Sequence, residues 1–189
     1  MAGKTDRRVK YTKMVIKNSF VRLLGQRPIA KITVKEICEG ADINRATFYA
    51  HYSDQYDLLR QIETEVIDDI NRYLEDYDFK DNARILVEMV EKILYYVGEN
   101  AELFNLLLNS NGDMTFQQEI INIIGRQHFD SLTGGNPPSR EDAEYLFHFL
   151  ASGAVGVIQM WLGRGMKKPA RDLAELMLDV AVTGRAAFE

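Results

Sequence analysis

The chain has 189 residues, 46% of them hydrophobic and 27% charged, which is enough for a sizeable core and excludes an intrinsically disordered polymer. Its single cysteine excludes an internal disulfide framework and suits a reducing compartment. The net charge of −5 conceals a division: residues 1–60 hold 12 Lys/Arg against 6 Asp/Glu, a net of +6, and residues 61–189 hold 11 against 22, a net of −11. An acidic protein with a basic N-terminal third has the charge footprint of localised nucleic-acid binding.

The opening MAGKTDRRVKYTK is basic and has no apolar h-region, so it does not read as a signal peptide. Residues 1–10 read as a mobile arm whose Lys4, Arg7, Arg8 and Lys10 can approach phosphates or a minor groove; a solvated tail is the plainer alternative. Tyr11 to Leu24 predicts a first helix, with Met14, Ile16, Phe20, Val21, Leu23 and Leu24 at helical spacing, closed by Gly25 and Pro28. Lys13 and Lys17 share one face at i,i+4 and can reach a DNA backbone.

Thr33-x-x-Glu36 is a capping box, in which hydroxyl and carboxylate satisfy otherwise orphaned amides. It opens a short helix from Val34 to Gly40 with Val34, Ile37, Cys38 and Ala41 on the inner stripe. Asp42-Ile43 turns the chain, and Asn44 caps a second short helix carrying Arg45, Thr47, Tyr49 and His51. Two short helices around a tight turn, the second rich in hydrogen-bonding side chains, predict a helix-turn-helix whose second helix enters a major groove. Phe20, Leu24, Ile32, Ile37, Ile43 and Phe48 form the predicted three-helix core. Cys38 reads as a small buried hydrophobe.

The residues Ile32-Thr33-Val34, Ile37, Ala41, Ile43, Ala46-Thr47-Phe48-Tyr49, His51-Tyr52 and Leu58-Leu59 resemble, in register, the DNA-binding signature of TetR/AcrR-type transcriptional regulators. Three positions depart from it. Asp42 stands where the family usually has Gly in the turn, and Asp tolerates left-handed φ at some cost. Cys38 replaces a usual Ala, and Gln55 stands where a Lys commonly offers a phosphate contact. The resemblance implies that Thr33, Lys35, Asn44, Arg45, Thr47, Tyr49, His51 and Tyr52 meet DNA. Arg45 is suited to guanine O6/N7 and Thr47 to a thymine methyl or a phosphate. Tyr49, His51 and the Thr33 region act as phosphate anchors, although His51 has the plainer reading of a surface histidine.

Ser53 is the predicted cap of a long fourth helix from Asp54 to Tyr77, with Leu58, Leu59, Ile62, Val66, Ile70 and Tyr73 on its buried side. A polar break at Asp78–Asn82 precedes a fifth helix, Ala83–Val97, stopped by Gly98. AELFNLLL forms a short sixth segment ending at Asn111-Gly112. Met114–Leu132 forms a seventh helix, and Thr133 to Pro138 a loop. Ser139-x-x-Asp142 is a second capping-box arrangement opening an eighth helix, which stops at Gly163/Gly165; Ala170–Ala187 forms the ninth. Tyr145 to Gly163 lacks charge over a length that raises a membrane span. Its His148, Ser152, Gln159 and glycines fit a helix buried between protomers better. The stretch FLASGAVGVIQMWLGRGMKKPARDLAELM also resembles one subset of the same family.

The expected fold is all-α, about nine helices, with a helix-turn-helix domain over residues 1–54 and a helical ligand-binding and dimerisation domain over 55–189. No Gly-rich phosphate loop, Gly-x-Ser-x-Gly, HExxH or Cys/His cluster occurs, so neither an enzyme nor a metal or cofactor is expected. Glu144/His148 and His128/Asp130 offer too few ligands for a metal, and Asp68-Asp69 do not share a helix face. Family resemblance implies an apolar ligand cavity, with candidate contacts Tyr96, Phe104, Asn105, Leu108, Phe116, His128, Phe147, Gln159 and Trp161; each can equally fill a core. Phe149, Gly153, Gly156, Val157, Met160, Leu173, Met177 and Val180 are the expected dimer contacts. The expectation is a cytoplasmic homodimeric repressor, off the membrane, holding a palindromic operator and released by a small-molecule effector. The rivals are a regulator or activator that binds a protein partner and, more remotely, a helical enzyme or carrier.

Overall fold

A computed structural model describes residues 2–75, 83–108, 116–122 and 139–186. All regular elements among them are helical: α1 (Ala2–Leu24), a 3-10 turn (Ile29–Lys31), α2 (Val34–Ala41), α3 (Arg45–Tyr49), α4 (Gln55–Glu75), α5 (Ala83–Glu99), α6 (Ala101–Leu108), α7 (116–122), α8 (Arg140–Gly163) and α9 (Ala170–Ala186). The chain divides into two compact units, Met1–Val66 and Ile67–Glu189.

In the first unit, Ile16, Phe20 and Leu24 recur along one face of α1 and are fully buried with Ile32, Ile37 and Phe48. Met14, at the same nominal periodicity, is exposed. Helix α1 packs on α2, and α2 on α3. Ser19 donates a buried hydrogen bond to the Ile37 carbonyl at 2.9 Å. The close approach needs a glycine, because a Cβ on Gly40 would stand 2.3 Å from Ser19 Oγ. The expected arm over residues 1–10 is instead helical from Ala2. Apart from Gly3 this stretch has no helix breaker, and Lys and Arg are good helix formers.

The fourth helix also departs from expectation at its start. Asp54, not Ser53, is the capping residue: its Oδ1 accepts from the Asp57 amide at 2.7 Å, while Asp57 Oδ2 accepts from the Ser53 amide at 2.9 Å. The Ser53 amide, with lesser help from the Ser53 and Gln61 side chains and Arg60, holds the Asp57 carboxyl below its ordinary range. The change of unit falls within α4. Leu58, Leu59, Ile62 and Val66 are buried as part of the first unit, and Ile70 and Leu74 as part of the second. A boundary after Asp54 would have placed the whole helix with the second unit.

In the second unit α5 packs on α9 and α6 on α8, with α5 also against α6. The core contains Met89, Leu94, Val97, Phe104, Leu107, Phe116, Phe147, Val155, Trp161 and Leu173. Ser139 opens α8 by accepting from the Asp142 amide at 3.1 Å. Helix α8 stops at Gly163, and Gly165 with φ 70° takes the left-handed turn that follows. The expected break at Asp78–Asn82, the turn at Asn111-Gly112, the ends of the seventh helix and the loop from Thr133 to Pro138 lie outside the described residues, as does His128.

Candidate nucleic-acid interface

The reader is built by local chemistry. Thr33 Oγ1 accepts from the Glu36 amide at 3.3 Å, and Glu36 Oε2 accepts from the Thr33 amide at 3.0 Å, closing the capping box at the start of α2. Arg27 clamps the same carboxylate at 2.7 Å. The Thr33 hydroxyl and amide, assisted by Arg27, hold the Glu36 carboxyl below its usual value. Arg27 was not foreseen: its partner lies nine residues away across a turn, and no helical spacing announces it.

After α2 the chain reverses through Asp42, which has φ 53° and ψ 48°. A left-handed Asp is tolerated because its short polar side chain crowds the backbone less than a branched one. Asn44 then caps α3, its Oδ1 accepting from both the amide and the hydroxyl of Thr47, at 2.8 and 2.9 Å. The cap commits the Thr47 hydroxyl, so its methyl group is what remains for a base edge. Phe48 points into the core and is completely buried, which turns its neighbours Arg45, Ala46 and Tyr49 outward. Tyr49 is 56% exposed, and Arg45 has no carboxylate within 4 Å among the described residues. Lys35 is exposed and loosely paired with Glu39 at 3.7 Å, a contact that water screens. His51 is half-buried, its ring 6.2 Å from that of Tyr52.

Tyr52 departs from the expected set. It is only 4% exposed, its ring packs 5.6 Å from Phe48, and burial pushes its hydroxyl up to about 12. Its i+4 spacing from Phe48 signalled the inner stripe. The face left exposed on and around α3 therefore comprises Lys35, Asn44, Arg45 and Tyr49, with Thr33 already committed to its cap. Lys17 is also withdrawn, since its Nζ sits 3.5 Å from Glu65. Cys38 is buried and its thiol pushed up by burial, consistent with a packing role.

In the second unit the candidate ligand residues fall into two groups. Tyr96 contacts Tyr73 and Phe104, at ring-centre distances of 5.5 and 5.7 Å, and its hydroxyl donates to Asp69 Oδ2 at 2.8 Å. Burial and this bond raise the Tyr96 phenol well above its ordinary value. Gln159 and Gln117 both donate to the Leu108 carbonyl. Phe116, Phe147 and Trp161 are buried, and the Trp161 indole donates to the Lys168 carbonyl at 2.8 Å. Asn105 is half-buried.

Of the expected dimer contacts, Phe149 is 75% exposed, and Met160, Val180, Gly153 and Gly156 are also exposed; nothing lies within 4 Å of a Cβ built on either glycine. Val157 and Met177 are half-buried. Leu173 is the exception, 4% exposed within one chain, because it lies on the inner stripe of α9 with Ala170 and Ala174. Helix α8 is the one described helix long and apolar enough to cross a membrane, over Glu144–Gly163, with 28% of that span buried inside the chain. Glu144 and His148 belong to no group of three metal-ligating side chains among the described residues.

This helix-turn-helix, followed by a second helical unit, defines the class as a helix-turn-helix transcriptional regulator. Residues 21–62 match the family model described as bacterial regulatory proteins, tetR family, and residues 86–182 match that of a transcriptional regulator C-terminal region. The chain belongs to the TetR family of transcriptional regulators. It is 26% identical over 97 residues to an uncharacterised HTH-type transcriptional regulator, YxbF, of Bacillus subtilis; the matched stretch is 50% of this chain and only 26% of that relative's length. Among solved structures, a TetR transcriptional regulator from Streptococcus agalactiae is 25% identical with a TM-score of 0.69, over 96% of this chain and 99% of that one. The regulator FadR from Bacillus subtilis, solved in complex with stearoyl-CoA, is 18% identical with a TM-score of 0.67, over 90% of this chain and 98% of its own.

Proposed function

We propose that the chain is a cytoplasmic homodimeric repressor that sets two copies of α3 in successive major grooves of a palindromic operator, about 34–36 Å apart. A small, largely apolar ligand entering the second unit releases it. The observation that carries the reading is the outward display of Arg45 and Tyr49 from a reader whose turn, caps and buried Phe48 all fit a groove-binding helix. Repression follows most simply, because occupying a promoter blocks transcription without any further contact.

A second copy of the chain covers the exposed apolar residues of α8 and α9, among them Phe149, Met160 and Val180. The aromatic group of Tyr73, Tyr96 and Phe104 supports an apolar effector, and the stearoyl-CoA held by FadR is one precedent for such chemistry. No catalytic role is assigned to any residue. The test is selection of bound sequences from a random duplex pool, followed by a reporter driven by the selected operator. Expression that rises when the gene is deleted supports the repressor. Expression that falls makes it an activator, and a pool that yields no sequence removes the DNA-binding reading.

A further inference from the structure

Helix α1 carries two lysines one turn apart, and they have different fates. Lys17 is committed to Glu65 at 3.5 Å. Lys13 has no carboxylate within 4 Å among the described residues, and its ammonium stands 6.0 Å from the centre of the Tyr52 ring. That ring is fixed by Phe48 on α3 and by its own burial, so it holds the lysine beside the reader. Of the other cations of this unit, Arg27 pairs with Glu36 and Arg60 with Asp57, whereas Lys35 is only loosely paired with Glu39. An aromatic face attracts a cation through its quadrupole but cancels none of its charge. A half-buried lysine beside α3 with no carboxylate within 4 Å among the described residues is therefore poised for an external anion.

We propose that Lys13 is a phosphate-anchoring residue of the DNA interface, positioned by the face of Tyr52 and contributed once by each protomer. The proposal rests on the DNA-binding reading above. A contact to the backbone fixes docking and affinity but does not distinguish bases.

The test titrates the full-length protein and its Lys13→Gln, Lys13→Arg and Lys17→Gln variants with the selected operator and with an unrelated duplex of equal length, between about 50 and 200 mM salt. Each phosphate contact contributes roughly 0.9 to the slope of log affinity against log salt, so two protomers make Lys13→Gln shallower by about two. Over that range roughly a tenfold salt-dependent loss then disappears. Both duplexes weaken by the same factor, Lys13→Arg restores the slope, and Lys17→Gln keeps it. Lys13→Met, which retains the aliphatic stem, replaces the Gln variant should that one unfold. An unchanged slope in the neutral variant, or an equal loss in Lys17→Gln, overturns the assignment. Failure of the unaltered protein to bind either duplex overturns instead the reading on which it rests.

Discussion

Substituting Gly40 by Ala sets helix propensity against packing. In an unobstructed helix interior the change stabilises by about 0.8–1.0 kcal/mol. Here the new Cβ would lie 2.3 Å from Ser19 Oγ and 2.8 Å from an Arg22 guanidinium nitrogen. The arginine tip can swing away at little cost. The Ser19 hydroxyl cannot, because it is buried and donates to the Ile37 carbonyl at 2.9 Å. Displacing it leaves a buried polar group unsatisfied, which costs about 1–3 kcal/mol. The loss equals or outweighs the gain, so Gly40→Ala should destabilise by about 0–2 kcal/mol and lower Tm by up to roughly 8 °C. Removing the obstructing atom reverses the sign. In a Ser19→Ala background the nearest side-chain atom that limits Gly40→Ala recedes to the Cβ of residue 19, at 3.4 Å, and the substitution becomes neutral or slightly stabilising. Urea unfolding of the four proteins gives the coupling energy, expected at roughly 1–3 kcal/mol. Additive effects, within about 0.5 kcal/mol, would refute the claim that α1 and α2 meet through this pair.

Arg45→Ala should weaken the selected operator roughly 5- to 150-fold while barely altering binding to unrelated duplex, measured by fluorescence anisotropy; equal losses on both would make Arg45 a backbone contact. Phe149→Asp, placed on the exposed apolar face of α8, should yield a folded monomer in sedimentation at concentrations where the unaltered protein is dimeric. Glu36 and Asp57 both have carboxyls held below their ordinary values of 4.5 and 3.8. Their stabilisation is thus complete above those values and lost as pH falls through the lower folded ones. Urea midpoints measured downward from pH 6 should drop more steeply in the parent than in Glu36→Gln.

What could be read in the chain was its local chemistry. The Thr33/Glu36 box, the Asn44 cap and the left-handed Asp42 each depend on residues three or fewer positions apart, so residue type and spacing suffice to announce them. Phe48 was legible too, since an aromatic flanked by polar residues in a short helix has one side to hide. The contacts that assemble the helices were not legible. Ser19 and Gly40 meet across 21 positions, and Lys17 and Glu65 across 48, with no periodicity linking them. The i,i+4 pairing of Lys13 and Lys17 suggested two equivalent phosphate contacts, and only the position of Glu65 separates them. Tyr52 is buried against Phe48; a tyrosine suits both a core and a phosphate, and its i,i+4 spacing from Phe48 is the signal for the core.

The position of the unit boundary inside α4 bears on how a ligand could reach the reader. At 1.5 Å per residue, the 21 residues of α4 span about 31 Å. Its second half is tied to α5 by the Tyr96–Asp69 hydrogen bond and the Tyr73–Tyr96 contact. Leu58, Leu59, Ile62 and Val66 of its first half are buried within the first unit. Under the proposed function, the Tyr96 hydroxyl and its aromatic neighbours are where a ligand would act on the second half of α4. Such a ligand need only prefer the DNA-released state by a few kcal/mol, which a competitor for that hydroxyl or those rings would supply.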